Sequence, residues 1–259
     1  MTSSTEGLEL AQLAFYAFAS LPSIYCIVKH GKVGLLGWLY VFVMCGLRLV
    51  GNGVAYHALS TTGEPNKAAS IISGIGLSPL LLAAIGILRE SWDFNYRSNH
   101  SIQSKLPVFL GGFGMLIPHL VVGGGIGLAA ASGNNKTLLE VGLIIFATGW
   151  IMVVGLVVLS AKSNDHRSRL EEETKLLHAV MIALPLIGIR LIYAIAIVFK
   201  YKNAAGGSLA VQVIFGTLPE FLVMITYLSA GLVTHNLARS RYQNKPGPAS
   251  ASNYTSVRV

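Results

Sequence analysis

The sequence has few charged residues. Only 12% of its 259 residues are charged, about half of the roughly 25% found in soluble globular domains. Hydrophobic residues make up 53% of the chain. A soluble domain of this length needs a more polar surface, so the composition excludes an ordinary soluble protein and favours a chain that lies in lipid.

Cysteines and the familiar catalytic motifs are also scarce. Cys26 and Cys45 are the two cysteines, and both fall within long apolar runs, so no disulfide framework is expected. The chain has no HExxH, CxxC, GxSxG or Walker motif. The glycine-rich stretch GGGIG at 123–127 lies within an apolar run and does not follow a strand. The sequence therefore predicts neither a metal nor a cofactor.

The net charge of +8 does not indicate a nucleic-acid-binding protein. Lys and Arg lie mostly in the short polar segments between apolar runs, and they form no basic helix face. We expect the partners to be the lipid bilayer and a small-molecule ligand. The sequence identifies no protein partner.

Seven apolar runs account for most of the chain. A helix crosses a hydrocarbon core of ~30 Å with about 20 residues, and all seven runs are about that long or longer. The sequence predicts an all-α membrane protein, a seven-transmembrane helix bundle in residues 1–238, with a disordered cytoplasmic tail at 239–259. The predicted spans are about 8–28, 33–58, 69–88, 106–131, 137–161, 177–199 and 208–234.

The distribution of basic residues predicts the orientation. Thirteen Lys and Arg residues lie in loops 29–32, 89–105 and 162–176 and in the tail, against four on the other side. The positive-inside rule places the N-terminus outside or in the lumen and the C-terminus in the cytoplasm, in the plasma membrane or the endoplasmic reticulum. The sequon Asn135-Lys136-Thr137 falls in a loop assigned to the outside, and Asn135 is the predicted glycosylation site.

Two stretches of the sequence resemble each other. GLRLVGN at 46–52 is similar to GIRLIYA at 188–194, and the segments that follow align Pro79 with Pro219. These matches favour a 3+1+3 internal repeat, in which spans 1–3 and 5–7 are copies joined by span 4. The alternative is a chance similarity between apolar segments.

Three charged residues fall inside predicted spans near the middle of the bilayer, namely Arg48, Arg190 and Glu220. A charge at this depth costs roughly 3 kcal/mol or more, so it normally faces the bundle interior and has a partner. Two guanidinium groups and one carboxylate carry a net positive charge, which suits an anionic ligand. The alternative is a structural ion pair between Glu220 and one arginine.

His119 and Asn52 complete the predicted ligand-binding set. His119 follows Pro118 in span 4, and a neutral imidazole there could handle a proton or bind a ligand. Asn52 lies one turn beyond Arg48. The ordinary alternatives are a core histidine and an interhelical hydrogen bond.

At GLRLVGN, GLSPLLLAAIGILRE, GIRLIYA and LPEF, the chain resembles a family of uncharacterised seven-span integral membrane proteins of filamentous fungi. The resemblance covers nearly the whole chain apart from the tail. It implies the fold and a fungal source, and it implies no activity and no catalytic residue.

Three functions are compatible with these features. The first is a binding protein, either a receptor-like sensor or a carrier. The second is a membrane enzyme similar in size and span number to fungal integral-membrane terpene cyclases, in which Glu220 would be the catalytic acid. A carboxylate beside two arginines stays ionised and donates protons poorly, which disfavours the enzyme. The third is a structural component without a ligand.

Overall fold

The computed structural model describes residues 2–62, 76–98, 136–162, 171–201 and 209–236. All of them lie in helices or in short turns next to helices, and there is no strand among them. The prediction of an all-helical chain is therefore confirmed for this part. The predicted fourth span with His119, the sequon residue Asn135 and the tail at 239–259 lie outside the described residues.

The first helix, α1, spans Thr2–Thr62 and is broken at Gly31. Gly31 has φ 65° and ψ −159°, a conformation that is essentially restricted to glycine. The break folds the helix into an antiparallel hairpin, since the Asn52 amide donates to the Gln12 side-chain oxygen at 3.4 Å. Gly53 likewise packs against Leu13. The predicted first and second spans fall in the two arms of this hairpin.

Four further helices follow. They are α2 at Leu77–Ser98, α3 at Lys136–Lys162, α4 at Glu171–Tyr201 and α5 at Leu209–Val233. In α5, a six-residue π-helical segment, Gln212–Thr217, separates a short α-helical start from the main α-helix Leu218–Val233.

Four of the described helices are long and apolar enough to cross a membrane, which is consistent with an integral membrane protein. They are Ser4–Thr62, Glu140–Ala161, Glu171–Ile197 and Leu209–Val233. The first has 59 residues, about 88 Å of helix, which is enough for two crossings once it is folded at Gly31. The helix α2 is not among the four, and its C-terminal part carries Arg89, Glu90 and Asp93.

The helices form a closed arrangement around one core. The α1 hairpin packs against α2, α2 against α4, α4 against α5, and α5 packs back against α1, while α3 lies outside against α4 and α2. Large apolar side chains nevertheless point outward, with Phe18 75% exposed, Val28 73% and Ile192 67%. An apolar exterior of this kind is expected where lipid covers the surface.

Glycines bring α1 and α2 into backbone contact. A Cβ atom at Gly37 would lie 2.8 Å from the backbone nitrogen of Ile87, and one at Gly86 would overlap the backbone of Gly37. One turn earlier in α1, a Cβ at Gly34 would lie 2.6 Å from a carboxylate oxygen of Glu90. Small residues at such positions allow the close helix approach that is common in membrane proteins.

Candidate functional site

Polar residues line the inner face of the α1 hairpin. In the first arm, Gln12, Tyr16, Ser23 and His30 are all buried, and their spacings of four and seven residues put them on one side of a helix. In the second arm, the buried residues Trp38, Val41, Cys45, Arg48 and Asn52 follow the same kind of spacing. The hairpin therefore presents a polar stripe to the interior while its other faces carry exposed apolar side chains.

Glu220 is the centre of a buried cluster formed by three helices. Arg48 of α1 donates to both of its carboxylate oxygens, from Nε to Oε1 and from Nη2 to Oε2, each at 2.5 Å. Arg190 of α4 pairs with Oε2 through Nη1, and the Tyr16 hydroxyl donates to Oε1. The exposed fractions of Arg48, Arg190 and Glu220 are 4%, 11% and 3%, so the cluster is largely dry. We call Tyr16, Arg48, Arg190 and Glu220 the arginine–glutamate cluster.

The local geometry of α5 places Glu220 opposite α4. Directly before it, the Leu218 N–H donates to the Val213 carbonyl five residues back, and Pro219 has no N–H to donate. Within this π-helical segment, the Gly216 carbonyl accepts a hydrogen bond from Arg190 Nη1 at 2.8 Å. Single π-helical turns inside α-helices occur frequently at functional sites.

Two buried donors have no partner among the described residues. The first is Nε–H of Arg190, and the second is the hydroxyl of Tyr227, which is fully buried. Tyr227 lies seven residues after Glu220, about two turns along the same face of α5. Buried polar atoms are almost always hydrogen-bonded in native structures, so each of these donors requires an explanation.

The cluster carries more positive than negative charge. Two guanidinium groups contact a single carboxylate. Glu9 is half-buried and precedes Tyr16 in the first arm of α1. It lies close enough to Arg48 to act on it electrostatically. The contact set alone has a net charge of +1, before the nearby Glu9 is counted.

The structure brings together the three charged residues singled out from the sequence. Asn52 is buried, but its amide is bonded to Gln12 and not to Glu220. Tyr16 belongs to the cluster and was missed by the sequence analysis. The signal that could have identified it is its spacing from Gln12 and Ser23, which gives the first arm a polar face.

A second buried polar cluster lies near the Gly31 break. His30 contacts Glu90 through Nδ1 at 2.7 Å and the Gly231 carbonyl through Nε2 at 3.0 Å, and Trp38 Nε1 donates to Glu90 at 3.0 Å. Because a carbonyl only accepts, Nε2 carries a proton. These contacts connect α1, α2 and α5.

The sequence analysis assigned residues 29–32 and 89–105 to cytoplasmic loops and therefore missed the second cluster. In the structure, α1 is helical on both sides of Gly31, and α2 continues past residue 88 to Ser98, with Glu90 only 1% exposed. Hydropathy decreases where a helix gains polar residues, even when those residues remain buried against other helices. Glu90 therefore marks a polar interior contact, while Arg89 beside it is exposed and the helix continues past both.

Comparison with known proteins gives one match. A protein-family model described as Domain of unknown function (DUF7702) matches residues 2–237. No curated protein and no solved structure shows significant similarity to the chain. The match confirms a family of unknown function over nearly the whole chain, while the fungal source stays a prediction. The chain therefore belongs to the DUF7702 family.

Proposed function

We propose that the chain is a seven-span membrane protein that binds a small ligand through an anionic group at the arginine–glutamate cluster, as a sensor or a carrier. The observation that carries this proposal is the buried Nε–H of Arg190, which has no partner among the described residues. A guanidinium group offers five N–H donors in a fixed plane. The Nε–H of Arg190 lies beside the N–H that contacts Glu220, so it is placed to donate to an oxygen atom of a ligand.

The excess charge supports the same proposal. A purely structural ion pair needs one arginine for one carboxylate, whereas Glu220 contacts two. Burying a second guanidinium group is costly in a dry interior. Natural chains tolerate such a cost mainly where function requires it, and binding of an anion would offset it.

The proposed seven spans and the proposed repeat have support from the described helices. The arms of α1 provide the first two spans, and α3, α4 and α5 match the predicted fifth, sixth and seventh. The aligned residues also make similar contacts. Gly76 lies against the Arg48 guanidinium group, and the Gly216 carbonyl accepts from Arg190. An arginine held beside the aligned glycine in each half is what a duplication would preserve.

The enzyme alternative gains no support from this geometry. Glu220 accepts hydrogen bonds from both arginines and from Tyr16, and all of these bonds favour its ionised form. A cyclase would need this carboxyl group as a proton donor to a substrate. A structural role without a ligand remains the second candidate, since the cluster connects α1, α4 and α5.

Ligand-dependent stabilisation of the purified protein tests the proposal. We expect acetate, octanoate, benzoate, inorganic phosphate or methyl phosphate to raise the melting temperature of the wild type. A ligand at 100 times its Kd stabilises by about 2.7 kcal/mol. Arg190→Gln should abolish the shift, and it remains foldable because Glu220 keeps its two bonds to Arg48.

Lys175→Gln is the matched control for this experiment. Lys175 is 44% exposed and pairs with Glu171 on the surface of α4, so its loss also removes one positive charge from the same helix. The control should keep the full ligand shift. If Arg190→Gln and Lys175→Gln both keep it, the ligand binds elsewhere, and if no probe stabilises the wild type, the structural role is favoured.

A further inference from the structure

We propose that Glu220 is an internal substitute for a carboxylate ligand, and that a proton on Glu220 releases the two arginines to bind that ligand. The ligand class is then a small monocarboxylate, and each anion binds together with one proton. This inference rests on the proposed function, because it assigns a ligand class and a coupling ion to the same cluster.

The contacts of Glu220 are those expected of a bound carboxylate ligand. Arg48 grips both oxygens side-on with Nε and Nη2, Arg190 adds Nη1 on Oε2, and Tyr16 adds a hydroxyl on Oε1. A planar anion with two oxygens matches this fork, and bidentate pairing with arginine provides strong and directional binding. A site that already holds its own carboxylate is therefore shaped for carboxylates.

The same contacts explain why a proton is required. While Glu220 is ionised, it uses the donors of Arg48 and repels a second carboxylate at the same place. Protonation forms an O–H bond on one oxygen and removes the negative charge. The N–H groups of Arg48 and Arg190 that bonded the carboxylate then bond the ligand oxygens, and the proton stays on Glu220 as long as the ligand is bound.

The charge of the buried cluster is the same before and after this exchange. With ionised Glu220, two guanidinium groups and one carboxylate give +1. With protonated Glu220 and one bound monocarboxylate, the sum is again +1. Because a change of net charge inside a membrane is expensive, an exchange that leaves the charge unchanged is favoured over binding of the anion alone.

The helix that carries Glu220 is locally irregular. The π-helical segment Gln212–Thr217 ends three residues before it, and Pro219 has no backbone N–H to donate. The regular i to i−4 bonding of an α-helix is thus interrupted just where Glu220 would have to move away from Arg48. The Nε–H of Arg190, which has no partner in the described part of the chain, adds a donor for the incoming oxygen.

In this proposal Glu220 takes up the proton when an incoming carboxylate replaces it at the arginines. The titratable and charged groups that face it are Tyr16 and Arg48 from α1 and Arg190 from α4. Arginines keep their charge, and the Tyr16 hydroxyl is already a donor to the carboxylate. Farther groups that act electrostatically on these side chains are Glu9, Cys45 and Tyr193. From α2, the neighbour of Arg48 is the uncharged Gly76.

Titration calorimetry on the purified full-length protein tests the coupling. The probes are acetate, butyrate, octanoate and benzoate, measured from pH 5 to pH 8 in buffers that differ in ionisation enthalpy. We expect the wild type to take up one proton per bound carboxylate. Because Glu220 is ionised in the ligand-free protein and protonated in the complex, the affinity should fall tenfold for each unit of pH, which corresponds to about 1.4 kcal/mol.

Glu220→Gln is the decisive variant, because a glutamine has the shape of a protonated glutamate. We expect it to bind the same carboxylate at every pH, with no proton uptake. Glu90→Gln is the matched control, since it changes the other buried carboxylate described above, near the Gly31 break. The control should keep the proton uptake and the pH dependence of the wild type.

Each outcome decides a different claim. If the wild type binds a carboxylate with one affinity across the pH range and takes up no proton, the coupling is wrong and the proposed function stands. If the folded wild type and Glu220→Gln bind no probe at any pH, both this inference and the proposed function fail. If Glu220→Gln does not fold, the proton count of the wild type decides, with one proton supporting the inference and none overturning it.

Discussion

Two fully buried tyrosines differ in what their hydroxyl groups contact. Tyr16 donates to Glu220, whereas the hydroxyl of Tyr227 has no partner among the described residues. A hydrogen bond to a charged group contributes about 1.5–3 kcal/mol, while removing an unpaired buried hydroxyl is nearly neutral. The matched substitutions Tyr16→Phe and Tyr227→Phe thus separate the stabilising contribution of the hydrogen bond from that of the aromatic ring.

We expect Tyr16→Phe to lower the free energy of unfolding by about 1.5–3 kcal/mol and Tyr227→Phe to change it by less than about 0.5 kcal/mol. Reversible denaturant unfolding of each variant in the same detergent measures both values. Equal losses in the two variants would show that the Tyr16 hydroxyl does not stabilise the cluster.

At the residue scale, the sequence identified the charged residues of the cluster but not the contacts that they make. Arg48, Arg190 and Glu220 stood out because a charge within an apolar run is costly and needs a reason. Tyr16 did not, since a tyrosine within an apolar run is ordinary until its hydroxyl partner is known. Which oxygen each arginine contacts depends on helix rotation and packing, and one sequence does not contain that information.

At the scale of the elements, the close contact between α1 and α2 depends on Gly37 and Gly86. A side chain at either position would push the two helices apart. A Cβ atom at Gly86 would overlap the backbone of Gly37, whereas a Cβ at Gly155 of α3 would meet no described residue within 4 Å. Neither overlapping partner is the flexible end of a side chain, so the helices would have to move apart.

We expect Gly86→Ala to destabilise the protein by about 1–3 kcal/mol, the usual cost of overpacking. Gly155→Ala should be neutral or should stabilise by up to about 1 kcal/mol, because alanine is the better helix former. Thermal unfolding of both variants in one detergent gives the comparison. A loss in Gly155→Ala as large as that in Gly86→Ala would contradict the close contact.

Hydropathy predicted the helical class, whereas the length of a helix beyond its apolar part was not visible in it. It placed a break at 29–32, and the structure has its break at Gly31 within that segment. It ended the third span at 88, although α2 continues to Ser98 with Glu90 buried. The length of an apolar run indicates how much of a helix lipid can cover. The helix itself can continue wherever other helices provide hydrogen-bond partners for its polar side chains.

At the scale of the whole molecule, the proposed orientation makes a direct prediction. With the N-terminus outside, Asn135 faces the lumen during synthesis, while the sequons at Asn99 and Asn253 face the cytoplasm. Expression in eukaryotic microsomes should therefore give a single glycoform. Asn135→Gln should remove the mass shift that a glycosidase removes from the wild type.

The substitutions Asn99→Gln and Asn253→Gln are the controls and should leave the glycoform unchanged. Loss of the glycan in either control, with Asn135→Gln still modified, would reverse the proposed orientation. Helical class and membrane location followed from composition alone. The orientation rests on the distribution of basic residues between the two sides, which packing of the described helices does not reveal.

The separation of Arg48 and Glu220 along the chain has a consequence for how the protein is made. Glu220 follows Arg48 by 172 residues, which takes roughly 10–30 s to synthesise at about 5–20 residues per second. For that time, the nascent α1 hairpin holds a guanidinium group whose carboxylate partner does not yet exist. Tyr16 lies in the same hairpin and contacts the same Glu220 oxygen, Oε1, as Arg48, so its hydroxyl oxygen is a nearby acceptor present from the start. The unfinished hairpin therefore offers Arg48 a temporary oxygen partner until Glu220 is made.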